Sequence, residues 1–199
     1  MSRSEAKSIA ENNGGKVLGS ISQKLDLLIV GDNKPTKRKI EQAKKMKIKI
    51  INVGNKLNKW ESDGIGYYQK QLPKNIKISF INLKGQQNPN LSKKEILQKE
   101  GKQVLSKISR SDYVISWDST GKQLDSYEFS NFILDSTQSK KEIFFIIGGS
   151  HGLSMEILNR SNQVFSASLL TFPHRLFRLI LMEQIYRAFA IMQNKPYHK

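Results

Sequence analysis

The run of five apolar residues from Ile143 to Ile147 constrains the fold more than any other feature of this sequence. A strand with one side in water alternates apolar and polar residues, whereas an unbroken run of Ile and Phe fits a strand buried on both faces. Such strands occupy the centre of parallel sheets that are covered by helices on both sides. The run therefore predicts an α/β protein, and it ends at Gly148-Gly149.

Segments on both sides of this run alternate between strand and helix patterns. Strands are predicted at 47–53, 76–83, 112–117 and 143–147, and helices at 59–71, 92–108, 124–138 and 174–192. Ser92 and Glu95 form a capping box at the start of the second helix, and 118–122 is predicted to be a polar turn. This alternation favours parallel crossover connections.

The first 45 residues form a separate piece. A helix at 5–13, strands at 16–18 and 25–30, and a helix at 35–45 are predicted there, which is little for an independent core. The start of the chain is polar and unlike a secretory signal, and no apolar run approaches the roughly 18 residues of a membrane span. We therefore expect a cytoplasmic protein with no membrane partner.

The charge of the chain favours a polyanionic partner. Thirty-three basic residues outnumber 17 acidic ones, which gives a net charge of +16, and both pieces are basic. The alternative is a charge that serves solubility alone. The sequence contains no Cys, which excludes disulfides, thiolate zinc sites and a Cys nucleophile. No metal site is expected.

Two stretches are candidates for a ligand site. The spacing in Gly148-Gly149-Ser150-His151-Gly152 matches neither the dinucleotide fingerprint nor the P-loop, so these glycines form either a plain turn or a close approach to a ligand. Residues 165–174 are apolar and rich in hydroxyls, and they form either another core strand or a loop that holds a ligand such as an adenine ring.

The last helix and the tail carry the remaining candidates. The helix at 174–192 is apolar nearly all round, which predicts burial against the sheet on one side and against a second subunit on the other. Glu183 and Arg187 have the i,i+4 spacing of an ion pair. Tyr197-His198-Lys199 is either a frayed end or a group suited to RNA contact and proton handling.

These motifs, in this order, resemble the RlmH family of SPOUT-class methyltransferases over residues 46–199. The matching stretches are Met46–Gly54, Lys99-Glu100-Gly101, Trp117-Asp118, Gly121-Lys122, Ile147-Gly148-Gly149, Gly152-Leu153, Leu170–His174, Glu183–Ala188 and Pro196–Lys199. The resemblance implies a sheet with helices on both faces, tied in a trefoil knot, and a homodimer. Trp117, Ser150-His151, Arg175 and Lys199 depart from residues common in the family.

The resemblance also implies an activity, the methylation of N3 of a pseudouridine in 23S ribosomal RNA of the ribosome with S-adenosyl-L-methionine as cofactor. The implied cofactor contacts are Trp117, Gly148, Gly149, Ala167, Ser168, Leu169, Leu170, Thr171 and Phe172. The candidates for catalysis are His198, Tyr197, His174 and Arg187, and those for RNA contact are Arg175, Arg178 and Lys199. No general base is assigned among them.

Residues 1–45 resemble a truncated BRCT domain of bacterial NAD-dependent DNA ligases. The matching stretches are Asn12–Val17 and Lys24–Gly31, and the first strand and the last helix of that family have no counterpart. The strand at 47–52 fits both the end of this domain and the start of the methyltransferase. We therefore expect residues 1–45 to be a fusion remnant or the product of a start codon placed too far upstream. The alternative function is a non-catalytic DNA-repair adaptor that binds nucleic acid.

Overall fold

The computed structural model describes residues 3–13, 17, 46–140 and 142–198. The chain divides into two compact units, Met1–Lys45 and Met46–Lys199. The described part of the first unit is helix α1 (Arg3–Asn12), where a helix was predicted at 5–13. The strands predicted at 16–18 and 25–30, the helix at 35–45 and the candidate Lys199 lie outside the described residues, apart from position 17.

The second unit alternates strands and helices as its sequence predicts. In chain order its elements are β1 (Met46–Val53), α2 (Lys59–Gln69), β2 (Ile76–Leu83), α3 (Lys93–Leu105), β3 (Tyr113–Gln123), α4 (Ser126–Ser139), β4 (Glu142–Ile147), α5 (Met155–Arg160), β5 (Gln163–Ser166) and α6 (His174–Met192). Helices α2, α3 and α4 each begin with a capping box, and the one at Ser92 and Glu95 was predicted. Among the described helices, none is long and apolar enough to cross a membrane.

The five strands form one parallel sheet in the order β2-β1-β4-β3-β5. Strand β4 lies between β1 and β3, and the side chains of all five residues from Ile143 to Ile147 are buried. The prediction of a strand buried on both faces is therefore confirmed, as is the α/β class. The trefoil knot stays a prediction.

Helices cover both faces of this sheet. Phe145 belongs to a large core that also contains Ile65 of α2, Ile133 of α4 and Ile185 of α6. Phe144, its neighbour on β4, belongs to a second core with residues of α3 and α5. Because successive side chains of a strand point to opposite faces, α2, α4 and α6 lie on one side and α3 and α5 on the other.

The structure corrects the predicted polar turn at 118–122. Strand β3 continues to Gln123, and after an irregularity between Trp117 and Lys122 it pairs again with β5. Gly121 makes this possible because a Cβ there would lie 2.5 Å from the Phe165 carbonyl carbon, so only glycine allows the two backbones to approach so closely. The residues at 118–122 are polar, so the hydropathy pattern did not indicate a strand there. Helix α5 was not predicted either.

Candidate cofactor and catalytic site

The carboxyl ends of the strands meet at one edge of the sheet because all strands are parallel. Strands β1 and β4 are neighbours in the sheet. From β1 the chain goes on to β2 on one side, and from β4 it goes on to β5 on the opposite side, beyond β3. The order of the strands therefore reverses between β1 and β4, and ligands of open α/β sheets bind at such a switch point. Gly54 follows β1 there, and Gly148-Gly149 follow β4.

The glycine turn after β4 is compact. The Gly152 amide donates to the Gly149 carbonyl at 3.1 Å, and the two residues form an isolated bridge. A Cβ on Gly148 would lie 2.6 Å from the Gly152 carbonyl oxygen, and Gly152 itself has a φ of +85°. Both positions require glycine, so the turn brings bare backbone to the switch point.

The loop from Ala167 to Pro173 follows β5 at the same edge. The Ser166 hydroxyl donates to the Ser168 carbonyl, and the Ser168 hydroxyl accepts from the Leu170 amide. Leu169 and Leu170 are nevertheless 93% and 73% exposed. The stretch at 165–174 thus ends a strand at Ser166 and continues as a loop, and the contact of this loop with a ligand stays a prediction. Ordered backbone with exposed apolar side chains fits the wall of a ligand site.

Trp117 occupies the core beside this edge. Its ring contacts Phe129, Phe145, Phe165 and Phe177 at centroid distances of 5.4 to 6.1 Å. Its Nε1 atom is buried and has no hydrogen-bond partner among the residues that the structure describes. The side chain therefore forms part of the core wall behind the predicted cofactor site and keeps one N–H donor free.

Four described side chains hold buried polar atoms without a partner, and all four lie at this edge: Asn52, Glu100, Trp117 and Arg178. Asn52 and Trp117 share one row of the sheet because both pair with Ile147. Buried polar groups are almost always hydrogen-bonded, so such a cluster points to partners outside the described chain, such as an ordered water or a ligand. Asn52 and Glu100 were not predicted as site residues. The signal for Asn52 was an amide inside the otherwise apolar end of β1.

Arg178 is fully buried, which corrects its predicted contact with RNA. Its Nη1 atom lies 3.1 Å from the Glu61 Oε1 atom and 3.1 Å from the Asn55 carbonyl oxygen. Burial and the nearby Arg175 lower the pKa of Arg178, while Glu61 opposes this effect. Arg178 therefore organises the interior. Arg175 is partly exposed beside the same carboxylate, at 3.4 Å, and stays a candidate for RNA contact.

His174 lies at the start of α6, next to Gly54 and Arg178. A Cβ on Gly54 would lie 3.7 Å from the His174 Nε2 atom and 3.1 Å from the Arg178 Nη2 atom. Burial lowers the pKa of His174, and the positive charges of Arg178 and Arg175 lower it further, against the opposing effect of Glu61. The imidazole is therefore neutral at pH 7.

The tail folds back onto the other end of α6. The Tyr197 hydroxyl donates to the Glu183 Oε1 atom at 2.9 Å, and Arg187 pairs with the same carboxylate. The Arg187 Nη1 atom lies 3.3 Å from the His198 Nδ1 atom. The predicted Glu183–Arg187 ion pair is thus confirmed, and it also fixes the tail. Tyr127 packs edge-on against the His198 ring at 4.7 Å.

We call Glu183, Arg187, Tyr197 and His198 the tail cluster. Burial and neighbouring charges act differently on the pKa values of Tyr197 and Arg187. Burial raises the pKa of Tyr197 well above its ordinary value, and the hydrogen bonds with Tyr68 and Glu183 add to this effect. Its phenol thus stays protonated at neutral pH and acts as a donor. Burial disfavours the charge of Arg187, but Glu183 outweighs this effect and raises the pKa of the guanidinium.

The fold and this site define a class of protein, and the comparisons with known proteins agree with it. Residues 46–198 match the family model described as "Predicted SPOUT methyltransferase". The chain therefore belongs to the SPOUT methyltransferase family. Members of this family take the methyl group from S-adenosyl-L-methionine, which is the cofactor of this chain.

Curated relatives narrow the assignment further. "Ribosomal RNA large subunit methyltransferase H" of Streptococcus thermophilus (strain CNRZ 1066) is 46% identical over 159 residues, which span 77% of this chain and 100% of the relative. The protein of the same name from Streptococcus sanguinis (strain SK36) is 42% identical with the same coverage. "Ribosomal RNA large subunit methyltransferase H 1" of Clostridium perfringens (strain SM101 / Type A) is 43% identical, again with this coverage.

Among solved structures, the SpoU methyltransferase AviRb from Streptomyces viridochromogenes matches with a TM-score of 0.38 and 9% identity. The match covers 76% of this chain and 62% of that chain. The assignment depends on the sequence matches.

The N-terminal segment has a match of its own. Residues 1–54 match the model of the "BRCA1 C Terminus (BRCT) domain". This match and the methyltransferase match both include β1, as the sequence indicated. The structure places β1 between β2 and β4 in the methyltransferase sheet, with both of its edges paired.

Proposed function

We propose that the chain transfers a methyl group from S-adenosyl-L-methionine to N3 of a pseudouridine in 23S ribosomal RNA. The part of this statement that concerns large-subunit ribosomal RNA is supported by relatives that the chain matches over their full length. The observation that carries the proposal is the gathering, at one edge of the sheet, of the glycine turn, the 167–172 loop and four side chains with buried polar atoms that have no partner among the described residues.

The residues at this edge fit the cofactor. Leu169, Leu170 and Phe172 offer apolar surface for an adenosine, and the backbone of Gly148 and Gly149 offers donors and acceptors without side chains in the way. When bound, the cofactor supplies an activated methyl group on a sulfonium. The protein contributes alignment and the exclusion of water, which suffice for an in-line displacement.

The pseudouridine N3–H is a weak imide acid, and its proton leaves before or during the transfer. Tyr197 is a poor base here because its phenol stays protonated and its hydrogen bond goes to Glu183. Its role in this proposal is to position the tail. His198 and the neutral His174 stay candidates for handling the proton. Arg187 keeps its charge, which supports its candidacy for stabilising negative charge on a uracil carbonyl.

A homodimer resolves a problem of distance within one chain. His174 is the first residue of α6 and Arg187 lies 13 residues later. The cofactor edge of the sheet, where His174 lies, is therefore about 20 Å along the helix from the tail cluster around Arg187. In a two-fold dimer with antiparallel α6 helices, the tail of one chain reaches the cofactor loop of the other. The exposed Leu169, Leu170 and Leu176 supply apolar surface for such an interface.

Ribosomal RNA also accounts for the charge. Residues 46–199 hold 23 basic and 12 acidic residues, and Arg175 is the partly exposed cation nearest to the site among the described candidates. Contacts between cations and phosphates release counterions, so binding to ribosomes weakens steeply as salt rises. Such a substrate is consistent with action in the cytoplasm.

The test is transfer of a labelled methyl group from S-adenosyl-L-methionine to ribosomes that contain the pseudouridine. The wild-type chain is expected to label 23S RNA at that nucleotide, and removal of residues 197–199 is expected to abolish transfer. Affinity for the cofactor, measured by calorimetry, is expected to stay nearly unchanged in the truncated chain. Absence of labelling beside an active control enzyme contradicts the proposal. Equal loss of transfer and of cofactor binding shows that the tail is only structural.

A further inference from the structure

Glu100 is a buried carboxylate with an unfilled hydrogen-bonding position. It lies on α3 at the switch-point edge and is 5% exposed. The backbone amide of Gln86 donates to its Oε1 atom at 2.8 Å. Its Oε2 atom is buried and has no partner, and no ion pair reaches Glu100 from the described residues.

The other buried glutamate of the described chain shows what a satisfied carboxylate requires in this protein. Glu61 pairs with Arg178 at 3.1 Å and with Arg175 at 3.4 Å, and it also accepts the Asn58 amide at 3.0 Å. A buried charge without such partners is costly. Glu100 therefore lacks a cation that the described part of the chain does not supply.

Glycines lie close around the Glu100 carboxylate. A Cβ on Gly149 would lie 3.0 Å from the Oε2 atom, and a Cβ on Gly85 would lie 3.4 Å from the Oε1 atom. Gly54 is adjacent, since the same Cβ on Gly85 would lie 3.6 Å from its Cα atom. Glycines thus follow β1, β2 and β4 around the carboxylate. Gly149 belongs to the turn that holds the cofactor in the proposed function.

We propose that Glu100 binds the α-ammonium group at the methionine end of S-adenosyl-L-methionine. This inference rests on the proposed function, because it takes the cofactor and the glycine turn from it. An ammonium group supplies both things that the Oε2 atom lacks, an N–H donor and a positive charge. The sulfonium carries a charge but no N–H, and the adenine amine carries N–H but no charge. Glu100 thereby selects ligands that keep the amino-acid end.

The experiment compares three ligands by calorimetric titration into the full chain. S-Adenosylmethionine has the ammonium and the sulfonium, S-adenosylhomocysteine has only the ammonium, and 5′-methylthioadenosine has neither. In Glu100→Gln, the first two are expected to bind about 10- to 100-fold more weakly, as for loss of a charged hydrogen bond, while methylthioadenosine binds as before. Glu156→Gln removes an exposed carboxylate on α5 and is expected to change none of the three affinities.

Three results overturn the inference: equal weakening of all three ligands, weakening of S-adenosylmethionine alone, or no change. The first identifies a structural residue and the second a contact with the sulfonium. A measurement on the wild-type chain keeps the test valid if Glu100→Gln does not fold. There, the S-adenosylhomocysteine analogue that lacks the α-amino group is expected to bind at least about tenfold more weakly than the parent. Equal affinity for the two contradicts the inference. If the wild-type chain binds neither S-adenosyl ligand, the proposed function fails as well.

Discussion

Arg178 and Glu61 show how a residue can be important without touching a substrate. The pair is fully buried and joins α6 to α2, and Glu61 also closes the capping box at Asn58. In the sequence, Arg178 lay in the first turns of a largely apolar helix and was a candidate for RNA contact. Its burial became visible only when α2, more than 100 residues earlier in the chain, was packed against it.

Replacing Glu61 tests this role. Glu61→Gln leaves a buried guanidinium without its counter-ion, and we expect it to lower the free energy of unfolding by about 3–5 kcal/mol in chemical denaturation. Glu128→Gln is a matched control, because Glu128 holds the same capping position on α4 and pairs with Lys122 on the surface. Glu128→Gln is expected to lower the free energy of unfolding by less than about 1 kcal/mol, apart from its effect on the helix cap. Similar costs for the two variants would contradict the assignment.

His174 makes stability depend on pH. Its pKa is lowered in the folded chain, so as the pH falls through the ordinary titration range of a histidine, the unfolded chain binds a proton that the folded chain resists. The free energy of unfolding is therefore expected to fall as the pH falls through this window. In His174→Asn this fall should be shallower, whereas His151→Asn, an exposed control, should follow the wild type. Parallel curves for wild type and His174→Asn would exclude the effect.

At the scale of elements, the contact between β3 and β5 positions the loop at 167–172, where cofactor contacts are predicted. Strand β5 has four residues and continues directly into the 167–172 loop. It pairs with both parts of β3, before and after the irregularity. Any change that separates these strands therefore moves the loop as well.

Gly121→Ala is the corresponding test. A Cβ at this position meets three backbone atoms of Phe165 within 2.5 to 2.7 Å, so we expect lower thermal stability and at least about tenfold weaker binding of S-adenosylmethionine. Gly66→Ala on α2 is the control, since nothing lies within 4 Å of its Cβ and the replacement favours the helix by roughly 0.5–1 kcal/mol. Unchanged binding in Gly121→Ala would show that β5 does not position the loop.

At the scale of the whole molecule, β1 decides between the two matches that include it. Its residues Ile48, Ile50 and Ile51 are fully buried, and both edges are paired within the methyltransferase sheet. The same strand cannot complete a BRCT sheet without leaving this core. The net charge of +5 on residues 1–45 therefore has no assigned partner, whereas that on 46–199 has ribosomal RNA.

Removing residues 1–45 tests this division. The shortened chain, 46–199, is expected to keep the thermal midpoint of the methyltransferase unit, its affinity for S-adenosylmethionine and its transfer to ribosomes. DNA binding by the full chain, measured by fluorescence anisotropy, is expected to be weak, independent of sequence and sensitive to salt. Specific DNA binding that disappears with residues 1–45 would instead support the adaptor function.

The sequence predicted the features that depend on neighbouring residues better than those that depend on contacts between distant residues. Apolar periodicity and caps depend on neighbouring residues, so they located the four main strands and helices of 46–199, and the glycines after β4 marked the edge of the site. The continuation of β3 past Trp117 depends on a close contact between Gly121 and Phe165, 44 residues later in the chain. No local pattern records such a contact.

By itself, the sequence determined the class of fold, the central position of β4 and, through its motifs, the family and its cofactor. Tertiary structure alone decided that Arg178 is interior, that Tyr197 anchors the tail to Glu183 and that Glu100 is buried without a counter-ion among the described residues. The physical reason is that burial and charge pairing depend on which surfaces meet across the sheet. A side chain acquires its protonation and its missing partners only from that environment.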